Sequence, residues 1–265
     1  MAKTLAELRE MHKNMNSDTK KSTSSSNGFW SPEEGDNIVR FLPGKEDPLD
    51  FFVETKLHAY QDGDGKWNYY KCRRTQHENC PMCELYYDLW KQHNNEGLGR
   101  DDDSKFSTLA RMVKPRPRYY SVAIVRSLEQ NGEDPVRMLS MSKQLFDKVM
   151  FCMINDEFQD EDDPDNTTII SLQRGNDFNI RMTKQGQFPS YVESMGKYKK
   201  TPAAKNEALI QEYMDNSLNL QSLGEIDSYE KGREVSMMLR STLNPVKTET
   251  TSDTPPWSDD GGLQV

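Results

Sequence analysis

The chain has 265 residues, of which 34% are hydrophobic and 29% charged, and its formal net charge is −9 at pH 7. A chain of this length can bury a core, but so small a hydrophobic share predicts that part of it is tail or linker. It has no apolar run near the ~18 residues that cross a bilayer and no signal-peptide core at its start, so we expect a soluble, intracellular protein.

The N-terminal segment predicts an arm outside the core. Leu5, Leu8 and Met11 follow a spacing of three and predict a short amphipathic helix. The polar run NSDTKKSTSSSNG that follows is typical of a linker. Residues 1–28 are therefore expected to lie apart from the folded domain.

Short runs rich in β-branched and aromatic residues predict strands through much of the chain. These runs are residues 37–43, 50–60, 67–71, 119–128, 136–141, 167–173 and 177–185. Helical spacing predicts helices over residues 83–93, 142–154 and 205–240. The pattern favours a mainly β barrel with α insertions, followed by a disordered acidic tail over residues 242–265.

Three of the four cysteines lie close together, with a histidine upstream. The pattern is His58-x13-Cys72-x7-Cys80-x2-Cys83, whereas Cys152 is distant. Three clustered thiols and one distant thiol do not form a paired disulfide framework, so a metal or free thiols are expected. The Cys-x2-Cys pair offers two thiolates from one turn, and a His–Cys pair around a hairpin supplies two more corners of a tetrahedron. The four residues predict one structural zinc ion.

Alternatives remain open for this cysteine segment. His77 lies only a few residues before Cys80 and is a rival fourth ligand, and the thiols could instead be unrelated buried residues. A catalytic zinc is disfavoured, because zinc deaminases need H-x-E, whereas the histidines here stand in HAY and HEN. Four protein ligands would also leave no position for a reactive water.

Charge is unevenly distributed along the chain. Residues 104–128, SKFSTLARMVKPRPRYYSVAIVRSL, contain no carboxylate, whereas residues 155–165 are acidic with no base. The prolines of KPRPR favour an extended backbone on which the cations alternate, namely Lys114, Arg116 and Arg118. An acidic protein can in this way keep a local basic surface.

Aromatic residues accompany these cations. A site for single-stranded nucleic acid needs cations for the phosphates and flat rings for the exposed bases, and Tyr119 and Tyr120 directly follow the basic run. The polar loop GQFPSYVES adds Phe188 and Tyr191. The plainer alternative is a solvated edge strand whose tyrosines belong to the core. The tyrosines at 69–70 and 86–87 do not decide between core and ligand contact.

Taken together, these stretches resemble a known family, the single-stranded DNA-binding (helix-destabilising) proteins of T-even-type tailed phages. The resemblance covers about residues 3–235. The matching stretches are NIVRFLPGKED, DGDGKWNYYKC leading to ENCPMCE, VKPRPRYYSVAIV, KQLFDKV and GQFPSY. The combination is specific, because the zinc pattern falls between the same two landmarks as in that family.

The resemblance implies an OB-fold core over residues 29–241, with a zinc subdomain at about 58–95 and DNA in a groove between them. It implies four zinc ligands, namely His58, Cys72, Cys80 and Cys83. It also implies DNA contacts, to which we add Arg111 on charge alone. The implied contacts are Arg40, Lys114, Arg116, Arg118, Tyr119, Tyr120, Phe188 and Tyr191.

The resemblance further implies partners. The arm would support cooperative self-association along DNA, the acidic tail would contact replication and recombination proteins, and the protein would act in the cytoplasm of the infected bacterial host, away from membranes. The chain departs from the family pattern at both ends. The arm has only Lys3 and Thr4 where the family has a dense basic cluster, with KKST displaced to residues 20–23, and the tail has few acids. These departures imply weaker or displaced cooperativity and weaker recruitment of partners.

The leading hypothesis is a non-catalytic protein that coats single-stranded DNA during phage DNA replication, recombination and repair, largely without sequence preference. A zinc-ribbon module that binds a polymerase or transcription partner is one alternative. An RNA-binding protein is another, because stacking and phosphate contacts do not exclude a 2′-hydroxyl. An enzyme is disfavoured, since the sequence has no Gly-rich phosphate loop and no nucleophile motif.

Overall fold

The computed structural model describes residues 28–161, 167–186 and 188–243. The predicted arm, apart from Gly28, and the predicted tail beyond Leu243 lie outside these residues. Within them the chain forms nine strands and six helices, so the prediction of a mainly β fold with α insertions is confirmed. None of the helices in the described ranges is long and apolar enough to cross a membrane.

The sheet is organised around its fifth strand. The strands are β1 (Phe29–Trp30), β2 (Gly35–Phe41), β3 (Phe52–Gln61), β4 (Trp67–Lys71), β5 (Arg116–Val125), β6 (Val136–Met141), β7 (Gly175–Gln185), β8 (Phe188–Ser190) and β9 (Met195–Thr201). β5 pairs antiparallel with β2, β3 and β6. β2 continues to β7, which pairs with β8 and β9, and β3 forms a hairpin with β4. The OB-fold topology stays a prediction.

Helices and short 3-10 turns cover the sheet. The helices are α1 (Pro81–Asn95), α2 (Lys105–Val113), α3 (Arg126–Gln130), α4 (Lys143–Ile154), α5 (Glu207–Asn216) and α6 (Tyr229–Leu243). Polar side chains fix where two of them begin. Ser104 and Ser107 form a reciprocal capping box at α2, and Ser142 Oγ accepts a hydrogen bond from the Leu145 amide at α4.

Alternate residues of β5 enter different apolar clusters. Tyr119 and Ala123 belong to the main cluster, which also contains residues of β2, β7 and α4. Val122 and Ile124 belong to a smaller cluster with residues of α5. Because neighbouring strand residues point to opposite faces, β5 is covered on both sides in its C-terminal half. Its N-terminal half carries the predicted basic residues.

A third cluster forms a lobe around the cysteines. It contains Cys72, Cys80 and Cys83 together with residues of α1, α2 and α6, among them Leu109 and Val235. The apolar packing around the cysteines therefore extends beyond residues 58–95, and we propose that the lobe includes α2 and α6.

Three predicted elements differ from the structure. Residues 167–173, predicted as a strand, form a largely buried turn before β7. In this turn Thr168 Oγ1 donates a hydrogen bond to the Phe158 carbonyl at 2.8 Å. The segment TTIISLQ is rich in β-branched residues, but it shows no period that would distinguish a strand from a buried turn. The helix expected over 205–240 is two helices, α5 and α6, separated by residues that pack over the sheet, where Gly224 lies against Val53. The strand expected over 119–128 ends at Val125, and α3 follows.

Candidate metal centre and nucleic-acid interface

The four predicted metal ligands form one buried cluster. β3 carries His58, Cys72 directly follows β4, and Cys80 and Cys83 lie at the N-terminus of α1. Their ligand atoms lie within 4.8 Å of one another, and all four side chains are buried. The hairpin and the helix thus bring together residues that are far apart in sequence, and the cluster could hold a metal ion.

The spacing of the ligand atoms fits a tetrahedral zinc shell. With Zn–S near 2.3 Å and Zn–N near 2.0 Å, a regular tetrahedron has S–S edges of about 3.8 Å and S–N edges of about 3.5 Å. Cys72 Sγ lies 3.8 Å from Cys80 Sγ and 3.5 Å from Cys83 Sγ. His58 Nε2 lies 3.5 Å from Cys80 Sγ and 3.6 Å from Cys83 Sγ. Four protein ligands fill such a shell and leave no coordination position for water.

Neighbouring backbone groups orient the ligands. His58 Nδ1 lies 2.6 Å from the Val113 carbonyl oxygen, which can only accept a hydrogen bond, so Nδ1 carries the proton and Nε2 faces the thiols. Cys80 is the N-cap residue of α1, and Pro81 occupies its first turn. Because the N-terminus of a helix carries partial positive charge, this position favours thiolates at Cys80 and Cys83.

Hydrogen bonds within the cluster shift the pKa values of its ligands. Burial lowers the pKa of the His58 imidazole, but hydrogen bonds with Cys72 and Cys80 outweigh it and raise that pKa to about 9. Hydrogen bonds from Cys72 and Cys83 lower the pKa of Cys80, whereas those with Cys72 and Cys80 raise the pKa of Cys83. Because metal ligands bind without their protons, a metal would have to displace any proton that His58 or Cys83 holds.

His77, the rival ligand, does not belong to the cluster. It is exposed and ends the 3-10 turn Arg73–Gln76 in a left-handed conformation, with φ at 61°. Of the two candidate histidines, the structure brings His58 alone to the thiols.

The predicted basic run begins where α2 ends and continues into β5. Lys114 is the C-cap residue of α2, and Arg116 and Arg118 occupy alternate positions of β5. Lys114 and Arg116 are exposed, and Arg118 is half-buried. In the described part of the chain none of the three has an ion-pair partner, whereas most of the other arginines do. These three residues, which we call the basic strip, are therefore available to bind an anion.

Two tyrosines lie near Arg118. Burial raises the pKa of the Tyr120 hydroxyl; the charge of Arg118 opposes that shift, and Tyr69 adds to it. Burial also raises the pKa of Tyr191, and Arg118 again opposes the shift. Electrostatic coupling of this kind requires proximity, so Arg118 lies near Tyr120 of β5 and near Tyr191 after β8. The pairing of β3 with β4 and β5 places Tyr69 on the same face of the sheet as Arg118.

Tyr119 and Tyr120, both predicted to contact DNA, lie on opposite faces of β5. The Tyr119 ring is 8% exposed and stacks on Phe146 of α4, with centroids 3.8 Å apart and planes 2° apart. Tyr120 is half-buried, shares its face with Arg118, and meets Phe29 edge-on at 6.1 Å. Tyr119 therefore packs in the core, which disfavours its predicted contact with DNA, whereas Tyr120 keeps part of its ring at the surface; both contacts stay predictions.

Arg40, also predicted to contact DNA, is buried, which disfavours that prediction. Its side chain is 0% exposed and forms a 2.9 Å ion pair with Asp177, and it donates to the carbonyls of Gly175 at 2.8 Å and Thr201 at 3.0 Å. Burial lowers its pKa, and Asp177 opposes that shift. An arginine enclosed in this way links β2 to the ends of β7 and β9 and does not face a ligand in solution.

Arg111 is exposed but already engaged. It pairs with Asp103, donates to the carbonyls of Arg100 and Asp102, and its guanidinium lies 6.0 Å from the Trp90 ring centroid. These contacts close the loop between α1 and α2. Charge alone therefore does not place Arg111 in the basic strip.

The predicted loop GQFPSY becomes the turn around β8. Phe188 is 75% exposed, which suits a ring that contacts a ligand. Tyr191 is half-buried against the main cluster, and its backbone amide donates a hydrogen bond to Gln144 Oε1 at 2.8 Å. Tyr191 lies near Arg118, whereas Phe188 pairs with Gln185 at the end of the β7–β8 hairpin.

The cysteine lobe adds two rings that the sequence left undecided. In β4, Tyr70 is fully buried, whereas Trp67 and Tyr69 are about half exposed, because alternate strand residues point to opposite faces. On α1, Tyr87 is exposed, and the Arg74 guanidinium lies 5.2 Å from its ring centroid. The alternation within WNYYK was the signal that could have separated Tyr69 from Tyr70.

Comparison with known families identifies the family of the chain. Comparison with curated proteins finds no match. A family model described as "gp32 DNA binding protein like" matches residues 33–241, which is well over half of the chain and includes the metal cluster and the basic strip. The chain therefore belongs to the gp32-like family of DNA-binding proteins, which confirms the resemblance to the single-stranded DNA-binding proteins of T-even-type phages.

Proposed function

We propose that the protein coats single-stranded DNA without catalysing a reaction. The observation that carries this proposal is the basic strip, whose three cations lack ion-pair partners in the described residues and stand beside partly exposed rings. Phosphates bind the cations, and bases stack on Tyr120, Tyr191 and Phe188. Contacts of these two kinds tolerate any sequence, because every base has a flat face and every nucleotide a phosphate.

The proposed cofactor is one structural zinc ion held by His58, Cys72, Cys80 and Cys83. The tetrahedral dimensions of the cluster and its burial support this proposal. When bound, the ion would fix the β3–β4 hairpin to α1 and would thereby set the position of the rings on β4. In this role the metal stabilises the lobe and takes no part in chemistry.

Coating acts by mass action. A protein that binds the single strand and not the duplex shifts the equilibrium towards open strands, so neither ATP nor an active site is needed. We therefore propose roles in phage DNA replication, recombination and repair, in the cytoplasm of the infected host. We further propose self-association through the arm over residues 1–28 and contacts with replication proteins through the tail over residues 242–265; both segments lie almost wholly outside the described residues.

Fluorescence titration tests the proposal. Tyr69, Tyr120 and Trp67 lie at the proposed surface, so a single-stranded homopolymer is expected to quench the intrinsic fluorescence. The logarithm of the affinity should fall steeply as the logarithm of salt concentration rises, because bound phosphates release counterions. Binding that is absent, or that is indifferent to salt, would contradict the proposal.

A further inference from the structure

β9 contains a large β-bulge where it pairs with β7. Asn176 pairs with Lys200 and Phe178 with Gly196, so Asp177 alone opposes three residues of β9, namely Lys197, Tyr198 and Lys199. The extra residues lift away from β7, and all three side chains are exposed. Bulges of this kind re-aim side chains and occur frequently beside functional sites.

The bulge presents a supported aromatic ring. Tyr198 is 66% exposed, and it stacks on the buried Phe158 with ring centroids 5.8 Å apart and planes 14° apart. Gly196 permits this arrangement, since a Cβ there would lie 2.7 Å from the Phe158 ring. One face of Tyr198 is therefore held by Phe158, and the other remains free to stack with a ligand.

Cations flank the ring beside an open cavity. In the described part of the chain, neither Lys197 nor Lys199 has an ion-pair partner, whereas the next residue, Lys200, pairs with Glu161. The cavity has a volume of about 600 Å³ and is lined by the three bulged residues and by Asp177. The Asp177 carboxylate is neutralised by ion pairs with Arg40 and Arg126, so it does not repel an anion strongly.

We propose that Lys197, Tyr198 and Lys199, which we call the β9 platform, form a second contact site for single-stranded nucleic acid. A base stacks on the free face of Tyr198, and the two ammonium groups bind the adjacent phosphates. This inference rests on the proposed function and extends it, because it adds a contact on a different edge of the sheet.

The position of the platform determines which ligands can reach it. Across the sheet, β5 is separated from β9 by β2 and β7, which is three strand spacings, or roughly 14 Å. Along the strands, Val39 pairs with both Val125 and Phe178, so the bulge is level with the C-terminal end of β5, roughly 24 Å beyond Arg118. A short oligonucleotide on the basic strip therefore does not extend to the platform, but a longer one does. Asp156 and Glu157 lie beside Phe158 in sequence and limit the local positive field, so the platform is expected to supplement the basic strip.

Oligonucleotides of two lengths test the inference. Wild type, Tyr198→Ala and the double variant Lys197→Gln/Lys199→Gln are titrated with oligothymidylates of about 5 and about 12 nucleotides, which lie in the lower and upper parts of the range of site sizes of single-strand-binding folds. For the longer strand, Tyr198→Ala should weaken binding about tenfold, as expected for one lost stack. The double variant should lower the slope of log affinity against log salt by about 1.4, at about 0.7 for each phosphate contact. Affinity for the shorter strand should not change.

Matched variants control for fold and net charge. Tyr198→Phe keeps the ring and should bind like wild type. Lys91→Gln/Lys205→Gln removes the same charge from exposed positions on α1 and before α5, and it should leave the length dependence intact. Melting temperatures of all variants report whether the fold is preserved.

The outcomes separate this inference from the proposed function. Unchanged affinity of the platform variants for both lengths overturns the inference and leaves the proposed function standing. Equal losses at both lengths also overturn it, because the effect would then be structural or would belong to the basic strip. Normal DNA binding with loss of binding to an acidic polypeptide, tested with poly-glutamate, would assign the platform to a protein partner and overturn it as well. If wild type binds neither length, the proposed function fails and the inference fails with it.

Discussion

At the residue scale, two adjacent tyrosines have different roles because a strand alternates. Tyr119 faces α4 and Tyr120 faces Arg118. From the sequence alone the two tyrosines are equivalent, because neither composition nor spacing indicates which ring packs against α4. The partner of Tyr119, Phe146, lies 27 positions further along the chain, and only the tertiary structure reveals the contact.

Alanine variants separate these two roles. Tyr120→Ala should weaken single-stranded DNA binding by about 1–3 kcal/mol and leave folding nearly unchanged, because it removes one stacking surface. Tyr119→Ala should lower the free energy of unfolding by about 3 kcal/mol or more, because it leaves a cavity against Phe146. Denaturant unfolding and DNA titration of both variants measure the two effects. If Tyr119→Ala weakened DNA binding without a loss of stability, and Tyr120→Ala lowered stability instead, these assignments of the two rings would be contradicted.

The free cations of the basic strip make a second prediction. Replacing Arg116 and Arg118 with Gln should reduce the slope of log affinity against log salt by about 1.4, because two phosphate contacts are lost. Arg111→Gln is the matched control, since its guanidinium is already engaged by Asp103 and by backbone carbonyls. An equal change of slope in the Arg111→Gln control would show that Arg111 also contacts a phosphate.

Arg40 makes a third prediction, on stability. Arg40→Ala should cost about 3–5 kcal/mol of folding free energy, because it removes one partner of a buried ion pair. Arg137→Ala, which breaks a surface pair with Asp134, should cost about 1 kcal/mol or less. Chemical denaturation compares the two. If Arg40→Ala weakened DNA binding and left stability unchanged, Arg40 would be a direct DNA contact and its structural role would be contradicted.

At the element scale, the β3–β4 hairpin joins the two parts of the site. His58 and Tyr70 are paired across it on the side of the thiols, and Ala59 and Tyr69 are paired on the side of Arg118. A metal that fixes one side of the hairpin therefore also positions the rings on the other side.

Metal removal makes the fourth prediction. Cys72→Ser, or chelation of the wild type, should lower the melting temperature of the lobe and weaken DNA binding. Because binding requires deprotonated ligands, and hydrogen bonding within the cluster raises the pKa values of Cys83 and His58, metal affinity should fall as pH falls. Zinc release followed with a chromogenic chelator over a pH series measures this dependence. Cys152→Ser is the control, since Cys152 is buried outside the cluster and should not alter metal content. Release that becomes easier as pH rises would contradict the assignment of these ligands.

Local patterns predicted some elements well and others poorly. β5, α4 and the four ligands follow from local periodicity, a Ser142 cap and Cys-x2-Cys spacing, so the sequence was sufficient for them. α2 was not predicted, although Ser104 begins a capping box there that could have indicated a helix. The bulge of β9 depends on its pairing with β7, and no signal within MGKYKKT indicates it.

At the scale of the whole molecule, the distribution of charge matters more than its sum. A net charge of −9 would repel DNA if it were spread evenly. Among the residues that the structure describes, however, many arginines form ion pairs, whereas the three residues of the basic strip form none. The sequence indicated this separation through a segment without carboxylates. It could not indicate which cations are paired, because the pairing partners, such as Asp177 for Arg126, come from distant strands.

The measurement that tests the central claim most directly is the ratio of affinities for single-stranded and duplex DNA of one sequence, at several salt concentrations. The basic strip and its rings can stack on unpaired bases but cannot reach the faces of paired ones, so the single strand should bind much more tightly at every salt concentration. Equal affinity for the two forms would mean that phosphate contacts alone account for binding, and it would contradict the proposal that this protein coats single strands.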